Sequence, residues 1–292
     1  MPSVSQKTKG IFYILVAAFG FSLMSTFVKL AGDLPAIQKA FFRNFIALLF
    51  ILIFMLKEHI SFKPEKGNLP ALFGRCFCGT VGLLCNFYAI GKLNLSDANM
   101  LNKLSPFFAI LFSVILLKEK PTLVQVIGVL MAFAGSLCII KPGFENPALI
   151  PAIAGAIGGM GAGAAYTFVR KLGGRHENSK RIVFYFSAFS CLVCLPFLLF
   201  SYAPMTGKQF LFLVLAGAFA CVGQLGITQA YLCAPAKEIS VYDYTQVIFA
   251  AVLGYFIFGD IPDWLSILGY FLICGAGVAM FFYNNRESAR SW

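Results

Sequence analysis

The sequence predicts an all-α integral membrane protein with ten transmembrane helices, arranged as two inverted five-helix repeats. Apolar residues make up 59% of the 292 positions and charged residues only 12%, whereas soluble domains have about 45–50% and about 25%. The apolar residues fall into ten runs, each close to the roughly 20 residues that a helix needs to cross a bilayer. A residue pattern also recurs at a spacing of 141 positions, from Thr26 to Thr167. These observations exclude secreted and cytosolic soluble proteins.

Short polar breaks, several of them with Pro or Gly, separate the ten apolar runs. The breaks predict spans at residues 10–30, 36–56, 69–91, 97–117, 122–140, 149–169, 182–202, 208–232, 239–259 and 264–283. No break is long enough to hold a separate folded domain. Because the number of spans is even, both termini are expected on the same side of the membrane.

The net charge of +11 indicates membrane orientation rather than nucleic-acid binding, because cytoplasmic loops accumulate Lys and Arg. With the N-terminus inside, the predicted cytoplasmic segments carry fifteen Lys and Arg residues and the opposite side carries five. We therefore expect a multi-pass protein of the cell (inner or plasma) membrane with cytoplasmic N- and C-termini, and no nucleic-acid partner.

Neither the cysteines nor the histidines predict catalysis or metal binding. All nine cysteines lie within apolar stretches, where a free thiol packs as a small hydrophobic group. The two histidines, His59 and His176, lie in predicted loops, and neither an HExxH nor a GxSxG motif occurs. We expect no metal, no cofactor and no enzymatic activity.

The internal repeat is carried by matching residues in the two halves. Ser-Thr-Phe-Val-Lys at 25–29 returns as Tyr-Thr-Phe-Val-Arg at 166–170, and the same offset pairs Lys39 with Lys180, Pro121 with Pro262 and Gly128 with Gly269. Each half, 1–141 and 142–292, then holds five spans. Because five is odd, the second half must be inverted in the membrane. Inverted repeats are typical of secondary transporters that bind substrate between the halves.

Several motifs carry a family resemblance: Phe41-Phe42-Arg43-Asn44, the stretch 89–96 before span four, Leu116 to Pro121, and 128–142 with its echo at 269–283. On these motifs the sequence resembles the EamA-type carriers of the drug/metabolite transporter (DMT) superfamily over nearly its whole length. The resemblance implies transport of small organic metabolites, with spans one to four and six to nine around a central cavity. Spans five and ten would be peripheral supports.

Polar residues on spans four and nine are the first candidates for substrate contact, because ionisable groups within spans usually face protein or a water-filled cavity. The helical spacing i, i+3, i+4, i+7 places Asn99, Asn102, Lys103 and Pro106 on one face. The 141 offset adds Ser240, Asp243 and Tyr244. Lys103 and Asp243 could hold the two ends of a zwitterion, or Asp243 could accept a coupling proton. A structural ion pair, or solvated helix ends, is the alternative.

For the other candidates two roles are open: contact with a polar substrate, or hydrogen bonds that join helices. They are Asn86 and Tyr88 in span three, Gln224, Gln229 and Tyr231 in span eight, and Tyr166 in span six by analogy with the family. Arg43 could pair with an anion in the cavity or extend to the outer interface. For Arg75 we expect extension to the inner interface. Gly155, Gly159 and Gly163 repeat every four residues, which favours close helix packing.

These features predict a secondary active or facilitative transporter that moves a small polar metabolite, an amino acid or similar zwitterion, across the plasma membrane by alternating access. The alternatives are a DMT carrier for S-adenosylmethionine, a nucleoside or an organic cation, and a membrane scaffold without transport. The expected partners are a small-molecule substrate, the lipid bilayer and either a coupling proton or a counter-substrate. The chain is expected to be a monomer or homodimer.

Overall fold

The computed structural model describes residues 6–117, 122–141, 147–175, 177–233 and 240–290, and every regular element in these ranges is helical. The elements are α1 (Gln6–Leu30), α2 (Ala36–Lys57), α3 (Leu69–Lys92), α4 (Leu95–Asn102), α5 (Ser105–Leu117), α6 (Leu123–Ile140), α7 (Leu149–Gly173), α8 (Ser179–Phe200), α9 (Gly207–Cys233), a 3₁₀ segment (Ser240–Tyr244), α10 (Thr245–Phe258) and α11 (Trp264–Arg290). Among these, seven helices are each long and apolar enough to span a bilayer. The predicted all-α membrane fold with ten spans is confirmed.

Spans four and nine differ from the prediction because neither is a continuous α-helix. Span four is interrupted between α4 and α5, where Pro106 removes a backbone donor and its ring clashes with the preceding turn. The chain crosses this interruption by a tighter turn, in which Leu104 N donates to Leu101 O at 3.2 Å. Span nine begins as the 3₁₀ segment and becomes α-helical only at Thr245. The two interruptions lie at equivalent positions of the repeat.

The helix contacts repeat in the two halves. α1 packs against α9, and their counterparts α7 and α3 pack against each other in the same way. α2 packs against α8 and α6 against α11, which are counterparts of one another. A pseudo-two-fold axis between the halves produces this pattern, as expected for inverted repeats.

Cross-half polar contacts show the inversion directly. The last turn of α1 reaches Asp260, with Lys29 Nζ 2.5 Å from Asp260 Oδ2. The loop after α7, the counterpart of α1, instead reaches the α2–α3 loop, where Asn68 donates to Glu177 at 2.8 Å. Because α2 runs away from the Lys29 end, these contacts lie at opposite ends of the bundle. α1 and α7 therefore run antiparallel.

Glycines allow the two halves to approach closely along α7. A Cβ atom on Gly161 would lie 2.7 Å from Gly82 Cα on α3, and one on Gly159 would lie 2.5 Å from Leu101 O on α4. A Cβ on Gly163 would lie 2.6 Å from Ser105 O on α5. The predicted glycine stripe thus packs against the interruption in span four.

We expect Gly161→Ala to lower the stability of the bundle, because overpacking a close contact of this kind costs about 1–3 kcal/mol. Gly173 lies on the same helix, and a Cβ atom there would meet nothing within 4 Å. Gly173→Ala is therefore the matched control and should be neutral or slightly stabilising, since Ala favours helix over Gly. The unfolding temperatures of the two detergent-purified variants, compared with that of the wild type, measure these changes in stability. Equal unfolding temperatures for the two variants would contradict the close contact.

Candidate functional site

A polar cavity lies between the halves at the level of the two helix interruptions. The space open to the centre of a water molecule is about 80 Å³, and one water needs about 10–15 Å³ by this measure. The polar residues of its lining are Ser25, Arg43, Arg75, Asn86, Asn102, Lys103, Tyr166, Gln224, Asp243 and Gln246. Spans one to four and six to nine supply the lining, and α6 and α11 supply none of its described residues, as the family resemblance implies.

An ion pair joins the two interruptions across the cavity. Lys103 Nζ lies 2.5 Å from Asp243 Oδ2, and the two side chains are 6% and 11% exposed. Lys103 caps the end of α4, and Asp243 lies in the 3₁₀ segment. Within the described part of the chain, Asp243 Oδ1 has no hydrogen-bond partner. One buried carboxylate oxygen therefore has an unused capacity to accept a hydrogen bond.

Arg43 points into the cavity rather than to a membrane interface. Its side chain is 1% exposed, and its Nη1 donates to Asn44 Oδ1. Asn44 is in turn held from the other half, because its Nδ2 donates to Ser190 Oγ at 2.7 Å. The interfacial alternative for Arg43 is thereby excluded.

Arg75 also lies in the cavity, so the expected extension to the inner interface is wrong. The residue is 5% exposed, and its guanidinium carbon lies 4.3 Å from the ring centroid of Phe186. Gly79 provides the space, since a Cβ atom there would lie 2.1 Å from Arg75 Nη1. The guanidinium thus lies along α3 beside Gly79 and contacts the face of an aromatic ring.

Asn99 lies behind the cavity wall and orients two of its residues. Its Oδ1 accepts hydrogen bonds from Ser25 Oγ at 3.2 Å and Gln246 Nε2 at 2.7 Å. Its Nδ2 donates to Leu95 O at 2.8 Å. Ser25 and Gln246 line the cavity although sequence reasoning did not select them. Gln246 follows Asp243 by three residues, and that helical spacing is the signal by which it could have been found.

Seven of the twelve candidate residues line the cavity, namely Arg43, Asn86, Asn102, Lys103, Tyr166, Gln224 and Asp243. Tyr88 is 40% exposed and lines a second cavity, because residues two apart on a helix point about 200° apart. Tyr244 packs on α11, where a Cβ on Gly277 would lie 2.5 Å from its ring. Gln229 is half-buried and outside the lining. The side chains of Tyr231 and Ser240, and residues 118–121, lie outside the described part.

A buried polar cluster ties the halves together at one end of the bundle. The Glu177 cluster consists of Glu65, Asn68, Glu177 and Arg181. Arg181 Nη1 lies 2.6 Å from Glu177 Oε1, and Glu177 Oε2 accepts from Asn68 Nδ2 at 2.8 Å and from Glu65 N at 3.1 Å. Burial raises the pKa of Glu177, but these hydrogen bonds outweigh it and hold the pKa below its ordinary value.

The lowered pKa predicts that Glu177 stabilises the fold in a pH-dependent way. Its contribution is complete above the pKa of an unfolded-state Glu, about 4.3, and is lost as pH falls through the folded-state pKa. We expect Glu177→Gln to unfold at a lower temperature than the wild type at pH 7, and the difference to shrink as the pH falls below about 4.3, the ordinary pKa of Glu. Thermal unfolding in detergent across this range tests it.

Glu58→Gln is the matched control for this prediction, because Glu58 pairs with Lys180 at the same end but is 49% exposed. Exposed ion pairs contribute about 0–1 kcal/mol, so this variant should behave like the wild type at every pH. If the unfolding temperature of Glu177→Gln were lower than that of the wild type by the same amount at pH 7 and pH 3, the lowered pKa of Glu177 would be contradicted.

The opposite end is tied by the Asp260 cluster, which consists of Lys29, Leu95 and Asp260. Asp260 Oδ2 lies 2.5 Å from Lys29 Nζ and accepts from Leu95 N at 2.8 Å. The carboxylate of the second half thus holds the end of α1 and the beginning of α4. Polar contacts between the halves therefore occur at both ends of the bundle and at the cavity.

Comparison with known proteins agrees with this architecture. The model of the EamA-like transporter family matches residues 8–141 and 149–283. The chain is 33% identical over 273 residues to the pseudopaline exporter CntI of Pseudomonas aeruginosa, covering 93% of this chain and 95% of that protein. It is 27% identical to human solute carrier family 35 member G1, in an alignment that covers 92% of this chain and 78% of that protein. It is 24% identical to a riboflavin transporter of Vibrio cholerae, in an alignment that covers 88% of this chain and 89% of that protein.

A solved crystal structure shares the fold, with a TM-score of 0.68 at 17% identity, covering 95% of this chain and 98% of the other. Both halves of the chain match the family model, and the relatives are transporters by description. The protein is a multi-pass membrane protein of the DMT superfamily and belongs to the EamA-like transporter family.

Proposed function

We propose that the protein is a secondary active or facilitative transporter that moves a small polar metabolite, an amino acid or similar zwitterion, across the plasma membrane by alternating access. The main support is the cavity between the halves, in which Lys103 and Asp243 present opposite charges at two helix interruptions. Interrupted helices of this kind form substrate sites in other inverted-repeat transporters.

The chemistry of the cavity supports a polar substrate. Asn86, Asn102, Gln224 and Gln246 line it with amide groups, which can replace the hydrogen bonds that a substrate loses with its water. The relatives described as exporting pseudopaline and transporting riboflavin also support a small organic metabolite.

The two end clusters support alternating access. If the Asp260 cluster opens while the Glu177 cluster stays closed, the cavity is open to one side of the membrane. If the Glu177 cluster opens while the Asp260 cluster stays closed, the cavity is open to the other side. The excess of Lys and Arg on the predicted inner side supports cytoplasmic termini, which would place the Glu177 cluster at the cytoplasmic end.

Uptake into proteoliposomes tests the proposal. Vesicles with the protein should accumulate a labelled metabolite faster than protein-free vesicles, whereas a scaffold would leave the two equal. Stimulation by pre-loaded substrate would identify exchange, and stimulation by an imposed pH gradient would identify proton coupling.

A further inference from the structure

The charge of the central cavity is unbalanced. In the described part of the chain, its lining includes three cationic side chains, Arg43, Arg75 and Lys103, and a single anionic one, Asp243. Asp243 is already paired with Lys103. Among the described residues, neither arginine forms an ion pair with a carboxylate, so the cavity carries two uncompensated guanidinium groups. Because charge removed from bulk water is costly unless it is paired, the cavity favours an anionic occupant.

Unused hydrogen-bonding atoms give the occupant more definite chemistry. Three buried polar atoms in the cavity wall lack a partner in the described structure: Arg75 Nε, Asp243 Oδ1 and Asn86 Oδ1. The first is a donor suited to a carboxylate, and guanidinium groups bind carboxylates through two parallel hydrogen bonds. The other two are acceptors, and a carboxylate acceptor suits an amino group.

The charges are also divided between the halves. Arg43 on α2 and Arg75 on α3 belong to the first half, and Asp243 belongs to the second. The Phe186 ring lies against the Arg75 guanidinium and offers an apolar surface beside it. A molecule that places acidic groups on the first half and an amino group near Asp243 would therefore connect the two halves.

A second cavity, of about 170 Å³ by the same measure, lies between the end of α1, the start of α2 and the end of α3, towards the Asp260 cluster. The charged residues in the described part of its lining are Lys39, Lys92 and Asp33, whose summed charge is also positive. Clefts lined by one sign of charge raise the local concentration of oppositely charged solutes. An anion approaching from this end would meet a favourable potential.

Resting on the transport function proposed above, we propose that the substrate is an amino compound with at least two carboxylates and net negative charge. Its carboxylates bind Arg43 and Arg75, and its amino group faces Asp243 Oδ1 and Asn86 Oδ1. Neutral amino acids with one carboxylate, and organic cations, leave at least one guanidinium uncompensated and are poor substrates.

Release of metabolites from loaded proteoliposomes tests this proposal with no single substrate chosen in advance. Vesicles are filled with a bacterial small-metabolite extract, washed, and analysed by mass spectrometry for compounds lost faster than from protein-free vesicles. We expect the lost compounds to be amino compounds with two or more carboxylates. Loss of neutral zwitterions, cations or phosphate esters instead would overturn the charge assignment and leave the transport function standing. Loss of no compound would overturn both.

Substitutions connect the selectivity to the two arginines. Arg43→Gln and Arg75→Gln should each slow release of the acidic compounds at least tenfold. Lys57→Gln removes an exposed charge from the end of the same helix as Arg43 and should not slow it. Unfolding temperatures of the purified variants show whether each is folded. Unchanged release by folded Arg43→Gln and Arg75→Gln would overturn the proposal.

Gly79→Ala tests the position of Arg75 while keeping its charge. Because the new Cβ would lie 2.1 Å from Arg75 Nη1, the guanidinium must move. We expect the KM for an acidic compound identified above to rise at least tenfold with little change in the maximal rate, and no further rise when Gly79→Ala is added to Arg75→Gln. An equal rise in the Arg75→Gln background would show that Gly79 acts independently of Arg75.

Discussion

Asp243→Asn should reduce transport by about a hundredfold or more and also destabilise the protein. The substitution leaves the Lys103 ammonium in the cavity without its carboxylate, which lies 2.5 Å away in the native pair. Removing one partner of a buried ion pair typically costs about 3–5 kcal/mol. The amide keeps only one acceptor oxygen, which cannot serve both Lys103 and the unpartnered Oδ1 position, so substrate binding and folding both suffer.

The double variant Lys103→Met/Asp243→Asn separates these two effects. Because the double variant has neither charge, no unpaired ammonium is left in the cavity, and the unfolding temperature should return close to that of the wild type. Transport should stay low, because the cavity has lost its only carboxylate among the described lining residues. If the double variant recovered transport as well as stability, the pair would have a structural role only.

Asp263→Asn is the matched control for this pair. Asp263 also forms an ion pair across the halves, with Lys141, but its side chain is more than half exposed. The pKa of Asp263 is lowered chiefly by the hydrogen bond from Lys141, yet an exposed pair of this kind contributes at most about 1 kcal/mol. Transport and unfolding temperature should therefore change little.

The sequence predicted the fold because apolar length and loop charge are local properties of the chain. It missed the interruptions in spans four and nine because both spans are apolar enough in total to cross a bilayer. Pro106 was visible in the sequence and was a usable signal for the break in span four, because a proline within a helix removes a backbone donor whatever packs around it. Asn99 and Lys103 are still joined by a helical hydrogen bond, from Lys103 N to Asn99 O at 3.2 Å. Because α4 ends at Asn102, however, the projected face does not extend to Pro106.

The position of Arg75 illustrates a second limit. Hydropathy and depth alone favour a snorkelling arginine near a helix end, and they contain no information about the neighbouring helix. The guanidinium turns inward because Gly79 leaves room on α3 and Phe186 on α8 provides a contact. The spacing of Arg75, Gly79, Gly82 and Asn86 along one face of α3 was a usable signal, whereas the contribution of Phe186 required the tertiary structure.

Disrupting the two end clusters should open the cavity from opposite sides. Asp260→Ala removes the hydrogen bonds that hold Lys29 and Leu95, and Glu177→Ala removes those that Asn68 Nδ2 and Glu65 N donate from the other half. Hydrogen bonds to charged groups contribute about 1.5–3 kcal/mol each, and 1.4 kcal/mol corresponds to about a tenfold change in an equilibrium. Each variant should therefore raise access to the cavity from its own end at least about tenfold.

A cysteine at position 165 reports this access, since Ala165 lines the cavity on α7 and is 2% exposed. The nine native cysteines are first replaced by serine, and a membrane-impermeant thiol reagent is applied to one face of oriented vesicles. Asp260→Ala should speed labelling from the predicted outer face only, and Glu177→Ala from the predicted cytoplasmic face only. Because the two clusters lie at opposite ends of antiparallel repeats, acceleration from the same face by both variants would contradict the arrangement on which alternating access depends.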